Sequence, residues 1–270
     1  MRAKVIVDNI SAHEIPGEWG LCIYVEYKET KLLLDVGSSD LFAYNAEKLG
    51  VSLKEVEYAV LSHAHYDHAG GMQKFFQMND TAQFYLREPA KCYFKKFIFH
   101  KYIGIPKKVT EKYADRIVYV SGDYKLCEGV YLIPHHTKEL GELGKREMMY
   151  QRTKSGWKPD NYSHEQSLVF DTRDGLIIFN SCSHGGVPQI LKEVSEAFLD
   201  KKVYGLIGGF HLYNKPEGEI RELGKQIRET GIQYVCTGHC TKNRAYRILK
   251  EELGDILSQL QVGLEMEFNE

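Results

Sequence analysis

The run Ser62-His63-Ala64-His65-Tyr66-Asp67-His68-Ala69-Gly70-Gly71 places three imidazoles and a carboxylate within six consecutive positions. Neither a solvated turn nor an apolar core needs such a density of donors. A site for borderline divalent metals does, and two such ions about 3.5–4 Å apart can share one activated water. The preceding Val56-Glu57-Tyr58-Ala59-Val60-Leu61 reads as a buried strand, so the donors fall just past a strand end, where backbone emerges into a site. In extended chain His63 and His65, two residues apart, point the same way. Gly70 and Gly71 let the chain turn tightly behind Asp67 and His68, and Met72 to Gln77 reads as the helix that follows.

With 270 residues, 43% of them hydrophobic and 27% charged, the chain can bury a full core as one large or pseudo-duplicated domain. A net charge of −2 gives no overall electrostatic reason to bind nucleic acid or an anionic membrane, although it leaves local patches open. There is no run of about 20 apolar residues, and Met1 to Asp8 enters a strand pattern directly. The expectation is a cytoplasmic protein with a small-molecule substrate, no nucleic-acid partner and no membrane, its oligomeric state left open. Six cysteines at 22, 92, 127, 182, 236 and 240 include no Cys-x-x-Cys pair, which fits reduced thiols. Cys236, in the apolar run Tyr234-Val235-Cys236, is assigned to the core.

Alternation predicts strands at Lys4–Val7, Leu21–Tyr27, Lys31–Leu34 and Gln83–Leu86, with a helix at Leu41–Leu49 capped by Gly50. In the second half strands are expected at Ser167–Asp171, Leu176–Asn180, Val203–Ile207 and Gln233–Cys236, and helices at Val187–Leu199 and Gly218–Thr230. Early hairpins among mixed strands and helices favour a four-layer αββα sandwich over a doubly wound parallel sheet. Between the halves, Lys91 to Lys108 carries six lysines, no acid, and Tyr93, Phe94, Phe97, Phe99 and Tyr102. It is read either as a substrate contact through Tyr93, Lys95 and Lys96 or as an amphipathic lid helix ending near Gly104-Ile105-Pro106. Residues 138–163 are polar and glycine-containing, the pattern of a long loop over a site. The whole is one domain, 1–270, with a lid or substrate-contact insertion at about 91–163.

The histidine cluster, lying after a hydrophobic strand and before Gly-Gly, resembles the metal-binding loop of the metallo-β-lactamase superfamily. The superfamily's earlier strand ending in Asp-x-Gly is matched by Leu32-Leu33-Leu34-Asp35-Val36-Gly37. Three later stretches, Asn180 to Gly186, Gly208-Gly209-Phe210-His211-Leu212 and Thr237-Gly238-His239-Cys240-Thr241, resemble the branch of dihydropterin-type ribofuranosyl-aminobenzene-phosphate synthases. The resemblance implies an α/β sandwich, called α+β in some schemes, with a binuclear metal site. It further implies an enzyme that turns a metal-activated water on a small phosphorylated or pterin-like metabolite.

The candidate ligands are His63, His65, Asp67, His68, His184 and His239, the last two each following an apolar strand. Cys182 occupies roughly the position where relatives carry a bridging Asp, and His164 falls near another family histidine; both are read as ligands or groups just behind them. Asp35 is expected to accept a hydrogen bond from a ligand imidazole. Asp67 is the candidate general base or water orienter, and His211 the candidate proton donor to a leaving group. The cofactor is one or two divalent ions, zinc first, with manganese or iron as the other candidates. Competing readings are di-iron or mono-iron oxygen and sulfur chemistry on the same scaffold, and a noncatalytic metal-binding sensor. His135 and His136, after Pro134 in an expected loop, are read equally as solvent-exposed or functional, and His13 and His100 are assigned to the surface.

Overall fold

The computed structural model describes residues 1–12, 14–88, 91–135 and 140–270. Two seven-stranded sheets form its centre. The first runs in the order Glu265–Glu267, Arg2–Val7, Cys22–Tyr27, Thr30–Leu34, Tyr58–Val60, Gln83–Leu86, Ile117–Tyr119. The second runs Leu257–Gln259, Tyr234–Thr237, Val203–Gly208, Leu176–Phe179, Gln166–Asp171, Val130–Pro134, Tyr124–Cys127.

Side-chain alternation explains the layering. In the first strand Ala3 and Val5 point between the sheets, where they join Ile23, Leu32, Leu168, Phe170, Ile177 and Phe179 in one buried cluster. Ile6 points the other way, into a second cluster with Leu33, Phe42, Ala46, Phe75 and Phe84, beneath the helices Leu41–Lys48 and Met72–Met78. On the far side Leu176 and Ile178 pack under the helices Val187–Ala197, Glu217–Glu229 and Lys242–Leu253 through Ile190, Ile220, Ile227 and Leu249. Strands buried on both faces read as continuous apolar runs, as Leu176-Ile177-Ile178-Phe179 does. The layers are αββα, as expected.

Register positions the site. Thr30–Leu34, Tyr58–Val60 and Gln83–Leu86 are mutually parallel, as are Leu176–Phe179, Val203–Gly208 and Tyr234–Thr237. Segments that follow each of these strands therefore emerge along one edge of the sandwich, the carboxyl edge where α/β sheets hold ligands.

Two segments differ from expectation. Residues 91–108 form no helix: Cys92–Lys96 and Phe99–Tyr102 make an antiparallel hairpin. Residues 138–163, expected as loop, supply in their described part the helix Leu140–Arg146 and the strands Met149–Thr153 and Gly156–Pro159. The two strand pairs join into a third, four-stranded sheet through Met149 opposite Phe94. Aromatic residues suit a half-buried pleated surface, and pairing between distant segments overrode the helical reading.

Candidate metal centre

The histidine loop starts where Tyr58–Val60 ends and closes with a single helical turn, Tyr66–Ala69. Gly70 is needed for proximity rather than for its dihedral freedom, since a Cβ there would lie 2.1 Å from the Ser38 carbonyl oxygen. At this edge Asp35, Ser183, His211 and His239 all have φ between 47° and 59°. Left-handed backbone at four non-glycine residues costs each of them about 1–2 kcal/mol, and its concentration here marks the site as over-determined by its surroundings.

Two groups of donors face each other. His63, His65 and His184 form a triangle of imidazoles with ring centroids 4.6, 5.0 and 5.0 Å apart. Beside it the Asp67 Oδ2 lies 3.7 Å from His68 Nε2 and 3.5 Å from His239 Nε2, and the Cys182 Sγ lies 3.3 Å from His68 Nε2. Cys182 also has its sulfur within 4.8 Å of donor nitrogens on His63 and His184, so it stands between the two groups. All seven residues are buried, yet the Nε2 atoms of His63, His65, His184 and His239 have no hydrogen-bond partner among the described residues. Buried polar atoms left without partners are costly and rare, and their convergence fits cations held by nitrogen, thiolate and carboxylate, a donor set suited to zinc.

The residues behind these groups fix the tautomers. The Asp35 carboxylate accepts the Ser62 N–H and Oγ–H, both at 2.7 Å, and the Ser181 Oγ–H at 2.6 Å. Its Oδ2 lies 2.8 Å from His68 Nδ1, so His68 donates from Nδ1 and turns Nε2 inward. Because the Ser62 hydroxyl proton goes to Asp35, the contact of 2.9 Å between Ser62 Oγ and His63 Nδ1 is an Nδ1–H donation, which likewise frees Nε2. His239 Nδ1 faces Asn9 Oδ1 at 3.3 Å, and the His239 N–H donates to Asp8 at 2.9 Å. Glu165 accepts the backbone N–H groups of His184 and Gly185, both at 2.8 Å. Asp35→Ala is expected to lower metal affinity about ten- to a hundredfold by releasing this chain of bonds. Competition against a chromophoric chelator measures it, and unchanged affinity would show that His68 keeps its orientation unaided.

Charge follows the same geometry. Burial and neighbouring imidazoles hold His63 and His65 well below the ordinary value, hence neutral with lone pairs available. His68 is the opposite case: burial lowers it, but Asp67 and Asp35 outweigh burial and raise it to about 9. Burial also opposes ionisation of Asp67, yet His68 and His239 hold it well below the usual carboxylate range.

His211 is brought to the same edge, its ring 4.3 Å from that of His184, and its Nε2 lies 3.3 Å from Glu147. Glu147 does not stand out in the sequence, one of four acids in a stretch read as loop. It is 4% exposed, accepts the Tyr162 hydroxyl at 2.9 Å and Lys215 Nζ at 3.0 Å, and lies 3.8 Å from His184 Nδ1. Tyr162 stacks on His184 with ring centroids 4.4 Å apart.

Other expected residues lie elsewhere. His164 is buried behind His65, but its Nδ1 accepts the Ala64 N–H at 3.1 Å and its Nε2 faces Asp160 at 3.2 Å and Cys92 at 3.5 Å. Both ring nitrogens are engaged, which places it behind the donors rather than among them. His135, left open between exposure and a functional role, is buried, contacting Glu193, Ser167 and Asn180. His100 stacks on Trp157 at 3.7 Å instead of standing free. His13 and His136 lie outside the described residues. Cys236 is fully buried in the core.

A cavity of about 200 Å³ opens onto the donors, walled by Trp19, Tyr66, Phe94, Met149 and Tyr213. Of the expected substrate contacts, Tyr93 packs instead on Tyr102 and Trp157, and Lys95 lies over the Tyr150 ring. Neither they nor Lys96 line it; strand alternation gives that position to Phe94. A second cavity of about 430 Å³ shares His184 and His211 and carries Arg146 and Lys215.

Two facing sheets with buried imidazoles, a carboxylate and a thiol at their common edge define a metallo-β-lactamase-fold protein. Residues 20–138 match the family model of the metallo-beta-lactamase superfamily, and the resemblance read from the motifs holds across the chain. The chain is 25% identical to the 7,8-dihydropterin-6-methyl-4-(β-D-ribofuranosyl)-aminobenzene-5'-phosphate synthase of Methanocaldococcus jannaschii, over 97% of this chain and 98% of that one. It superposes on the crystal structure of Tm1679, a metal-dependent hydrolase of the β-lactamase superfamily, with a TM-score of 0.86 and 27% identity over the whole of both chains. The metallo-β-lactamase fold protein YhfI from Bacillus subtilis shares the fold at a TM-score of 0.60 and 12% identity, covering 98% of this chain and 99% of that one.

Proposed function

We propose that this protein is a metal-dependent enzyme that holds two divalent cations, zinc foremost, and turns a metal-activated water or hydroxyl nucleophile on a small phosphorylated or pterin-like metabolite. The observation that carries the reading is that the buried Nε2 atoms of His63, His65, His184 and His239 lack hydrogen-bond partners among the described residues, while Cys182 groups with His63 and His184 on one side and with His68 and His239 on the other. His63, His65 and His184 would hold one ion, and Asp67, His68 and His239 the other, with Cys182 between them. When bound, such ions lower the pKa of a coordinated water toward about 7 and polarise the oxygen it attacks.

The remaining work falls to the chain itself. Asp67, ionised and itself a member of the second group, orients the nucleophile through its carboxylate. His211, raised to about 10 by Glu147 and Cys240 against the opposing effect of burial, is protonated at neutral pH and is the donor to a leaving group. Trp19, Tyr66, Phe94 and Tyr213 give a flat heterocycle an aromatic wall, and in the adjoining cavity, which also carries Glu147, Glu219 and Glu222, Arg146 is the cation that would meet a phosphate. The M. jannaschii relative is named as a synthase, so bond formation with a metabolite hydroxyl or amine belongs to the reading alongside hydrolysis.

The test is a panel of phosphodiesters, phosphomonoesters, thioesters and lactones offered to metal-replete protein, with metal analysis after aerobic and anaerobic purification. Turnover of one class, abolished by chelator and restored by zinc or manganese, is expected. Bound iron with oxygen uptake would replace this reading by oxygen chemistry.

A further inference from the structure

The hairpin Cys92–Lys96 and Phe99–Tyr102 contributes Phe94 and Ile103 to the wall of the site, but its outer end does something else. Phe97, Ile98 and Phe99 at the tip are 83%, 81% and 72% exposed, three consecutive large apolar side chains in water. The turn is made by Phe97 and Ile98, with Phe97 at φ 55°. That backbone position ordinarily goes to glycine or asparagine, so the apolar tip is kept against local preference. Scattered exposed apolar residues need no explanation; a contiguous apolar tip does.

The charge around the tip is one-sided. The four strands of this sheet, Cys92–Lys96, Phe99–Tyr102, Met149–Thr153 and Gly156–Pro159, contain Lys95, Lys96, Lys101, Arg152 and Lys158 and neither Asp nor Glu, in a chain whose net charge is −2. Lys154 adds a further positive charge in the turn between the last two strands. The acids that flank the second strand pair, Glu147 and Asp160, are buried and committed to Tyr162 and Lys215 in one case and to Gln151 and His164 in the other, and on the hairpin's own side the nearest along the chain are Glu88 and Glu111, outside the sheet.

We propose that this hairpin docks the protein on an anionic phospholipid surface, the tip Phe97-Ile98-Phe99 entering the interface while Lys95, Lys96 and Lys101 meet the headgroups. Apolar residues ringed by lysines match the two layers of such an interface in order, hydrocarbon within and negative charge without. A protein partner fits less well, because three side chains on a narrow turn fall far short of the roughly 1,200 Å² a stable interface buries. Stacking of nucleic-acid bases fits less well too. Of the sheet's rings, Tyr93 packs on Tyr102 and Trp157 and His100 stacks on Trp157, which leaves Phe97 and Phe99 on either side of Ile98, a side chain with no ring to continue a stack. The base of the hairpin is bonded to the histidine loop, Tyr66 N–H donating to the Ile103 carbonyl at 2.8 Å, so docking would bring the mouth of the site close to the surface.

Cosedimentation with vesicles tests this. Full-length protein is expected to pellet with phosphatidylcholine–phosphatidylserine vesicles, to pellet less as salt rises, and to remain in solution with phosphatidylcholine alone. The double variant Phe97→Ser/Phe99→Ser should lower binding to the anionic vesicles by about tenfold or more, as should Lys95→Ala/Lys96→Ala. These positions are on the surface, and the fold should be untouched. A Phe99→Trp variant adds an independent reading, a blue shift of its emission on the anionic vesicles. Wild-type protein that stays in the supernatant, or a tip variant that pellets equally well, overturns the proposal. So would a tip-dependent dimer, or tip-dependent binding of a single-stranded oligonucleotide, in the absence of vesicle binding.

Discussion

His63→Ala and His184→Ala should each abolish turnover, by about a thousandfold or more, and lower bound metal, because each removes one corner of the three-imidazole group. The two residues reach that group from different sheets, His63 behind Tyr58–Val60 and His184 behind Leu176–Phe179. Neither is needed to fill the apolar core between the sheets, so both variants should fold. The control is His164→Ala, a histidine equally buried and only 5.4 Å by ring centroid from His65. Its nitrogens are taken by Ala64 and Asp160, and that variant should keep its metal even if it loses some stability. Metal content by mass spectrometry, read beside activity, separates the cases. Full turnover by His63→Ala or His184→Ala would remove the triangle from the mechanism, and metal loss by His164→Ala alone would relocate the first cation.

Much of this centre could be read before any coordinates, and for a physical reason. A strand followed by its ligands is a local pattern, so Asp35 after Leu32-Leu33-Leu34, the histidines after Tyr58-Ala59-Val60, and His184 and His239 after their apolar runs stand out one by one. Parallel pairing then gathers these strand ends on one edge. What could not be read was whatever depends on a partner far along the chain. Glu147 matters because of Tyr162, Lys215 and His211, and Asn9 because of His239. Neither residue carries a spacing that sets it apart. The hairpin at 92–102 failed for a related reason: its second half of the sheet lies at 149–159, in a stretch whose glycines and polar residues resembled loop. His164 is the converse case: the sequence left it either among the ligands or just behind them, and only its bonds to Ala64 and Asp160 separate the two.

Asp67→Asn is expected to slow turnover about 10²- to 10⁴-fold while leaving the fold intact, since it keeps the shape of the side chain and removes only its charge and basicity. The carboxylate sits where two imidazoles meet, its Oδ2 3.5 Å from His239 Nε2 and 3.7 Å from His68 Nε2. It is 7% exposed and ionised throughout the neutral range because those imidazoles outweigh its burial. The coupling runs both ways. Asp67, together with Asp35, is what lifts His68 to about 9, so in metal-free protein His68 carries a proton at pH 7 that a cation must displace. Metal affinity should therefore climb as pH rises toward about 9 in the native protein. In Asp67→Asn the anion is gone, burial gains ground, and His68 should titrate at lower pH, visible in the imidazole resonances of the metal-free protein. The proton released on metal binding at neutral pH should shrink accordingly, measurable by calorimetry in buffers of different ionisation heat. If Asp67→Asn turned over at the native rate with His68 titrating as before, Asp67 would be neither water orienter nor neighbour in the sense argued, and the second group would have to work through His68, His239 and Cys182 alone.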